Sequence, residues 1–474
     1  MVFSSPTFLF LFLPIVWLLH LIAPRRWRNL LLLLASLVFY GWGEPVFVLV
    51  MLLSCLVNYG LARGLSADHV TAEAQKRKAV LVLAIIFNIG LLAVFKYADF
   101  LVYSLNNLFS LAIPQPGIPL PIGISFFTFQ ALSYVIDVYR QETPVQKRLD
   151  SLMLYIAFFP QLIAGPIVKY HDIADQIDAR TITVQKTSEG IRRFIVGLGK
   201  KLLLANTFGR VADQVFSLLP AELSFAVSWL GAFCYLLQIY FDFSGYSDVA
   251  IGLGHVFGFS FKENFRYPYQ AENMQDFWRR WHISLSTWFR EYLYIPLGGN
   301  RNGQWRTGIN RVIVFFITGL WHGAGWTFII WGLYHGFFLL LESYRLIRTD
   351  WLWRPLRHVY TILVVLVGFV LFRSEHLVQA GAFLRSMFLS FAASGDTAAR
   401  LLQEAATPGF LILLPVAFVL TLPIGPWLHR RLAHARLPQP LLDGCSLLLA
   451  LLVLYLCLLS LSAADYNPFI YFRF

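Results

Sequence analysis

Thr318-Gly319-Leu320-Trp321-His322-Gly323-Ala324-Gly325-Trp326 lies in the middle of an apolar run from about Val312 to Leu341. As one helix, a run of about 30 residues would measure about 45 Å, against a hydrocarbon core of about 30 Å. A break is expected, and Gly323 with Gly325 is where the backbone is permissive enough to make it. His322 then stands at the end of a half-helix deep in a membrane, facing a cavity that also satisfies the freed backbone groups. An ionisable side chain at that depth is costly and is a functional candidate by default; the bland alternative is a core histidine bonded to a neighbouring carbonyl.

The rest of the chain has the same character. Hydrophobic residues make up 58% of it and charged residues 14%, with a mean hydropathy of +0.62, which no water-soluble domain matches. About fifteen apolar runs recur along the chain, among them 79–95, 100–113, 222–241, 245–260 and 441–461, and several are too short to span alone. We expect about nine to twelve spans, with the remainder re-entrant or interfacial. Alternating segments of a membrane barrel are not visible. No internal repeat is visible either, which removes the commonest hint of a transporter.

Lys and Arg number 38 against 26 Asp and Glu. These charges sit in short loops between apolar runs, so positive-inside topology explains them better than nucleic-acid binding does. Arg25, Arg26 and Arg28, then Arg63, Lys76, Arg77 and Lys78, mark cytoplasmic loops, and the Gly41–Pro45 turn with Glu44 is external. His429, Arg430, Arg431 and Arg436 mark another cytoplasmic loop in a C-terminal part that reads as scaffold. Cys55, Cys234, Cys445 and Cys457 have neither metal nor disulfide spacing and read as packing residues.

The most unusual stretch runs from Lys262 to Arg311, dense in Arg, Trp and Tyr. Asn273 followed by Asp276 resembles a helix start, and the spacing predicts one helix from about Phe277 to Tyr294. On that helix Trp281, Leu285, Trp288 and Tyr292 share a face, and His282 shares a ridge with Trp278, Ser286 and Phe289. His282 reads either as a site residue or as an interfacial polar group. His335 lies on a different face of the next helix and ranks as supporting or structural. A second polar cluster runs from Gln238 to Asp248, where Asp242 or Asp248 could orient an imidazole or pair with Arg279, Arg280 or Arg290. The bland reading there is a helix cap at Ser244 or Ser247. No metal spacing, phosphate loop or nucleophile elbow is present. By elimination the chemistry is imidazole-centred, with His322 the best general base.

Asp276-Phe277-Trp278-Arg279-Arg280-Trp281-His282-Ile283-Ser284-Leu285-Ser286-Thr287-Trp288, then Leu297-Gly298-Gly299-Asn300-Arg301, then Leu320-Trp321-His322-Gly323, resemble the membrane-bound O-acyltransferase superfamily. The resemblance is close to the bacterial alginate O-acetyltransferase branch. Met1-Val2-Phe3-Ser4-Ser5, Pro121-Ile122-Gly123-Ile124-Ser125-Phe126-Phe127, Ile136-Asp137-Val138-Tyr139-Arg140, Ala164-Gly165-Pro166 and Phe241-Asp242-Phe243-Ser244-Gly245-Tyr246-Ser247-Asp248 look like that branch too. The resemblance extends to about Tyr344, beyond which only the hydrophobic character matches.

It implies an all-α polytopic membrane protein, with a ring of helices plus re-entrant and interfacial ones around a central tunnel. One acyltransferase domain would cover 1–474, with N-terminal helices in 1–260, a catalytic segment in 261–345 and scaffold helices in 346–474. His322 would be essential and His282 supporting. Candidate substrate-binding residues are Trp278, Arg279, Arg290, Trp321, Asp242, Gln238, Tyr246 and Asn300. The resemblance further implies acetyl transfer from a cytoplasmic donor, with acetyl-CoA the donor and no bound cofactor or metal. The acetyl group would go toward an exopolysaccharide, alginate or acetylated cellulose, across a bacterial inner membrane. Partners would be periplasmic or membrane-anchored acetyltransferase proteins of a secretion complex, besides the lipid bilayer. Many eukaryotic relatives pair the essential histidine with an upstream Asn or Asp, where this chain has His282. Competing readings are D-alanyl transfer to teichoic acid, a secondary transporter or flippase, and a non-catalytic anchor subunit.

Overall fold

The computed structural model describes residues 1–65, 74–163, 165–391, 396–434, 438–463 and 466–468. Ala164, Arg436 and residues 66–73 of the basic region between Arg63 and Lys78 lie outside them. Among the described residues every regular element is helical, the outcome expected where backbone groups must satisfy one another. In chain order, the helices that matter for the site and its frame are α1 (Phe47–Gly64), α2 (Gln75–Phe109), α3 (Ile124–Tyr139), α4 (Tyr170–Asp178) and α5 (Phe225–Val256), followed by α6 (Met274–Arg280), α7 (Ile283–Phe289), α8 (Gly303–His322), α9 (Trp326–Ser343), α10 (Arg354–Arg373) and α11 (Pro440–Ala463).

Among the described residues α1, α2, α5, α10 and α11 are each long and apolar enough to cross a membrane. The chain is a multi-pass membrane protein. The most apolar part of α2 is 17% buried and that of α11 is 11%, against 72% for α5. The first two therefore present apolar side chains, mostly Leu, to lipid, whereas α5 is enclosed by protein. Two expectations change here. The runs 79–95 and 100–113 join into α2, through a widened turn at Ala93–Tyr97. The runs 222–241 and 245–260 join into the single helix α5 across the polar cluster, with Gly245 at a close approach where a Cβ would come 2.9 Å from the Gly197 carbonyl.

The chain forms two compact units, Met1–Phe194 with Ser247–Glu263, and Ile195–Tyr246 with Asn264–Phe474. In the first, α1 and α2 are tied by a reciprocal amide pair, with Asn58 Nδ2 donating to Asn88 Oδ1 at 3.2 Å and Asn88 Nδ2 donating to Asn58 Oδ1 at 2.7 Å. Both residues are fully buried, so each amide finds in the other the partner that lipid withholds. Arg193 engages Asp248 at 2.8 Å and Glu263 at 2.5 Å. Asp248 is thus the partner of Arg193, not of Arg279, Arg280 or Arg290.

His171, on the amphipathic helix α4, lies between two carboxylates, with Nδ1 2.8 Å from Asp137 and Nε2 3.3 Å from Asp172. Hydrogen bonds to Asp137 and then to Asp172 raise its pKa to about 9. A folded-state pKa above the unfolded 6.5 means this contact stabilises fully below about pH 6.5 and is lost as pH rises through about 9. Thermal unfolding in detergent should therefore show a fall in midpoint between pH 7 and 10 that His171→Gln flattens. An equally steep fall in the variant would refute this.

In the second unit, α8 and α9 form an antiparallel hairpin. A Cβ at Gly319 would come 2.4 Å from the Phe328 carbonyl, and one at Gly332 would come 2.2 Å from the Phe315 carbonyl. Near the open end, Tyr344 donates to the Gln304 carbonyl at 3.0 Å. The break therefore falls where helix length and glycine placement put it, since α8 ends at His322 and α9 starts at Trp326. Across it the chain reverses, so the arms lie side by side.

The predicted helix from Phe277 to Tyr294 is not continuous. It stops at Arg280, Trp281 is extended, and His282 takes a left-handed conformation with φ 44° before α7 begins. Main-chain bonds from elsewhere win at this point: Arg266 N–H donates to the Arg280 carbonyl and Ile283 N–H to the Asn264 carbonyl, both at 2.9 Å. The shared faces expected for Trp281 and His282 on one continuous helix therefore do not form. Its start is as expected, with Asn273 Oδ1 accepting from Asp276 N–H at 2.7 Å. The carboxylate of Glu342 accepts from Met274 N–H at 2.9 Å.

Candidate active site

His322 is the last residue of α8, where the main chain closes the helix through Gly323 N–H donating to the Gly319 carbonyl at 3.3 Å. Its ring sits in an aromatic enclosure, with ring centres 4.9 Å from Trp321, 4.9 Å from Trp331 and 5.2 Å from Phe372. Edge-on packing of this kind fixes orientation with few hydrogen bonds. The residue is buried.

His282 faces the same place from the break between α6 and α7. Its ring centre is 6.4 Å from that of His322, and it is fully buried. Phe243 of α5 meets it edge-on at 4.5 Å. Asn264 Oδ1 lies 3.2 Å from His282 Nδ1, and also accepts from Ser284 N–H at 3.1 Å and from the Ser284 hydroxyl at 2.9 Å. His282 lies outside the spanning helices, and burial pulls its pKa down to about 3, so the ring is neutral at physiological pH. Asn264 was not found in the sequence. It sits eighteen residues before His282, outside any spacing that a helix or strand would mark, and only the fold brings the two together.

Trp278 belongs to the wall of this region: its ring is 5.8 Å from Trp331 and 5.3 Å from His335. His335 is fully buried behind these indoles, 5.0 Å from Trp331, a supporting position. On the other side of Trp278 opens a cavity of about 520 Å³ lined by Trp278, Arg279, Arg290, Phe289, Thr318 and Leu339 among others. Thr318 is one helical turn before His322 on the same face of α8. Arg290 is largely exposed and touches Glu291 at 3.0 Å.

The remaining candidates are on α5 and in the loop before α8. Asp242 pairs with Lys201 at 2.7 Å, both side chains being almost completely buried. Gln238 packs beside Gly209, where a Cβ would meet its Nε2 at 2.6 Å. Tyr246 is buried on the same face of α5, one turn beyond Asp242. Asn300 is exposed in the loop before α8. As for a metal, Asp137, Glu142 and His171 are the group of ligand atoms that converge among the described residues, within 4.8 Å. There the imidazole already faces two carboxylates, which favours a protonated ring over a metal-bound one.

The two buried imidazoles stand edge-on, at 61° between their planes, and the cavity begins one turn from His322 on α8. Residues 151–373 match the model of the MBOAT, membrane-bound O-acyltransferase family. The probable alginate O-acetylase of Azotobacter vinelandii is 41% identical, with the whole of both chains covered. The chain belongs to the membrane-bound O-acyltransferase family. The probable alginate O-acetylase of Pseudomonas putida is 42% identical over the whole of both chains. The peptidoglycan O-acetyltransferase of Helicobacter pylori is 38% identical over 71% of this chain and 69% of its own. The similarity thus extends past Tyr344 to the C-terminus, further than the quoted motifs reach. Membership makes this chain a membrane-bound O-acyltransferase of the alginate O-acetylase branch.

Proposed function

We propose that the protein takes an acetyl group from a cytoplasmic thioester, acetyl-CoA, and transfers it across a bacterial inner membrane for O-acetylation of an exopolysaccharide. The observation that carries the reading is the pair of buried imidazoles 6.4 Å apart at the tip of the α8–α9 hairpin. An acceptor hydroxyl loses its proton to His322 as its oxygen attacks the thioester carbonyl. The new C–O bond forms, the C–S bond breaks, and the thiolate leaving group takes up the proton. The aromatic enclosure keeps competing water from the reacting carbonyl. Partner proteins of the secretion pathway then place the acetyl group on the polymer, alginate or a related polysaccharide.

The test is transfer of labelled acetyl from acetyl-CoA by purified protein in proteoliposomes, compared with a D-alanyl-charged carrier protein. Transfer from the charged carrier alone would move the reading to teichoic acid. The orientation follows from the basic loops: a cysteine at Glu44 should label from outside intact cells, and labelling only after permeabilisation would reverse it.

Arg279 and Arg290 at the rim of the cavity suit the phosphates of an anionic donor. Replacing either with Gln should raise the donor KM roughly fivefold, about 1 kcal/mol for an exposed ion pair, with kcat little changed. An unchanged donor KM would leave both arginines as interfacial anchors.

A further inference from the structure

We infer that the open end of the α8–α9 hairpin is a docking surface for anionic phospholipid headgroups. The surface is aromatic and basic. Trp305 is 80% exposed at the start of α8, and Trp351 and Trp353 are each 72% exposed in the link between α9 and α10. The start of α8 and the start of the link are neighbours, because the Tyr344 hydroxyl donates to the Gln304 carbonyl at 3.0 Å. Three large rings held out from the fold at one end of a hairpin suit a surface that is apolar on one side and wet on the other. The link is braced. Arg357 donates from Nε to the Leu352 carbonyl and from Nη2 to the Asp350 carbonyl, both at 2.9 Å. The same arginine and Arg354 grip Glu272 at 2.9 Å and 2.8 Å, so the exposed rings are presented by a fixed backbone.

The height of this surface follows from α10. That helix is long and apolar enough to cross the membrane, and it starts directly after Trp353. Leu356, Val359 and Leu363, at helical spacing on one face, are all exposed, so lipid tails cover α10 from its first turns. Trp351 and Trp353 then stand at the level of the headgroups, where indoles concentrate. Four exposed arginines accompany the rings, Arg301 and Arg306 close to Trp305 in the chain and Arg345 and Arg348 in the link. Among the described residues none of the four has a carboxylate within ion-pair distance. Arg348 instead covers the ring of Trp351, 3.5 Å from its centre, a contact that leaves the edges of the guanidinium for a phosphate. Uncompensated positive charge beside exposed indoles at headgroup depth fits a negatively charged lipid. An acidic protein would have to reach between the headgroups to cover the same rings.

Lipid quenching of the full-length protein, reconstituted in phosphatidylcholine, tests this. The quencher is phosphatidylglycerol or phosphatidylcholine brominated close to the headgroup. The signal of the surface is the tryptophan fluorescence that disappears in W305F/W351F/W353F, a variant changed only at exposed positions. Half-quenching of that signal should need about fivefold less phosphatidylglycerol than phosphatidylcholine, the worth of one arginine at an anionic surface. Replacing Arg301, Arg306, Arg345 and Arg348 together by Gln should bring the two lipids to parity. Replacing the four by Lys should keep the preference, because the charge is kept. Equal quenching of the wild type by the two lipids would overturn the lipid assignment, and that comparison does not depend on the arginine variants. No quenching by either lipid, with soluble polyglutamate shielding the same rings from acrylamide, would also overturn it and give the surface to an acidic protein. A full preference persisting in the Gln variant would refute the part given to the arginines.

Discussion

Replacing His322 with alanine is expected to lower acetyl transfer by about 10²- to 10⁴-fold, the usual worth of a positioned acid or base. The protein should still insert and fold. His322 sits at the very end of α8, and the bond that closes the helix there, Gly323 N–H to the Gly319 carbonyl, is made by main chain alone. Its ring contacts with Trp321, Trp331 and Phe372 are packing contacts and lose area without leaving a buried charge behind. Fluorescence size-exclusion of the variant should therefore resemble that of the wild type, while labelled acetyl transfer is lost. His322→Gln separates hydrogen bonding from proton acceptance. Near-normal transfer in that variant would remove the base assignment.

The second large effect is on stability. Lys201 and Asp242 form an ion pair with both side chains almost completely buried, and the Lys201 ammonium also donates to the carbonyl of Pro468. Removing one partner of such a pair costs about 3–5 kcal/mol, because the other charge stays buried without its counterion. Lys201→Leu should therefore lower the thermal midpoint of the detergent-purified protein severely. Lys201→Leu combined with Asp242→Leu should recover much of the loss, since an apolar pair of similar volume is often neutral or better. A single variant as stable as the wild type would contradict the pairing.

How much of this was legible in the sequence depends on the range of the interaction. The break after His322 could be read from helix length and two glycines, both local properties. The membrane class followed from composition and the recurring apolar runs. The continuous helix through His282 could not be corrected in the same way. The bonds that interrupt it come from Asn264 and Arg266, and a pattern with period 3.6 carries no trace of a competing strand-like segment. The polar cluster from Gln238 to Asp248 divided α5 into two apolar runs for a related reason, since polar residues enclosed by protein look in sequence like those of a loop. Asp242 was rightly marked as needing a partner, but its ion partner is Lys201, forty-one residues earlier, and no spacing rule reaches that far. Asn264 was missed because an asparagine in an aromatic, basic stretch looks like a loop residue until the fold puts its carbonyl against an imidazole.

The paired arms of the α8–α9 hairpin have a consequence for the economy of secretion. An arm of 20 residues is about 30 Å long, close to the thickness of the hydrocarbon core. Its open end carries Arg306 and Arg311 on one arm and Arg345 just past the other, and that charge bias belongs on the cytoplasmic side. On the proposed orientation the tip that carries His322 lies within the membrane, away from the compartment that makes activated acetyl groups. On the proposed reaction, a bulky, highly charged coenzyme never has to leave the cell. A two-carbon fragment is all that is exported, and the carrier stays behind to be recharged.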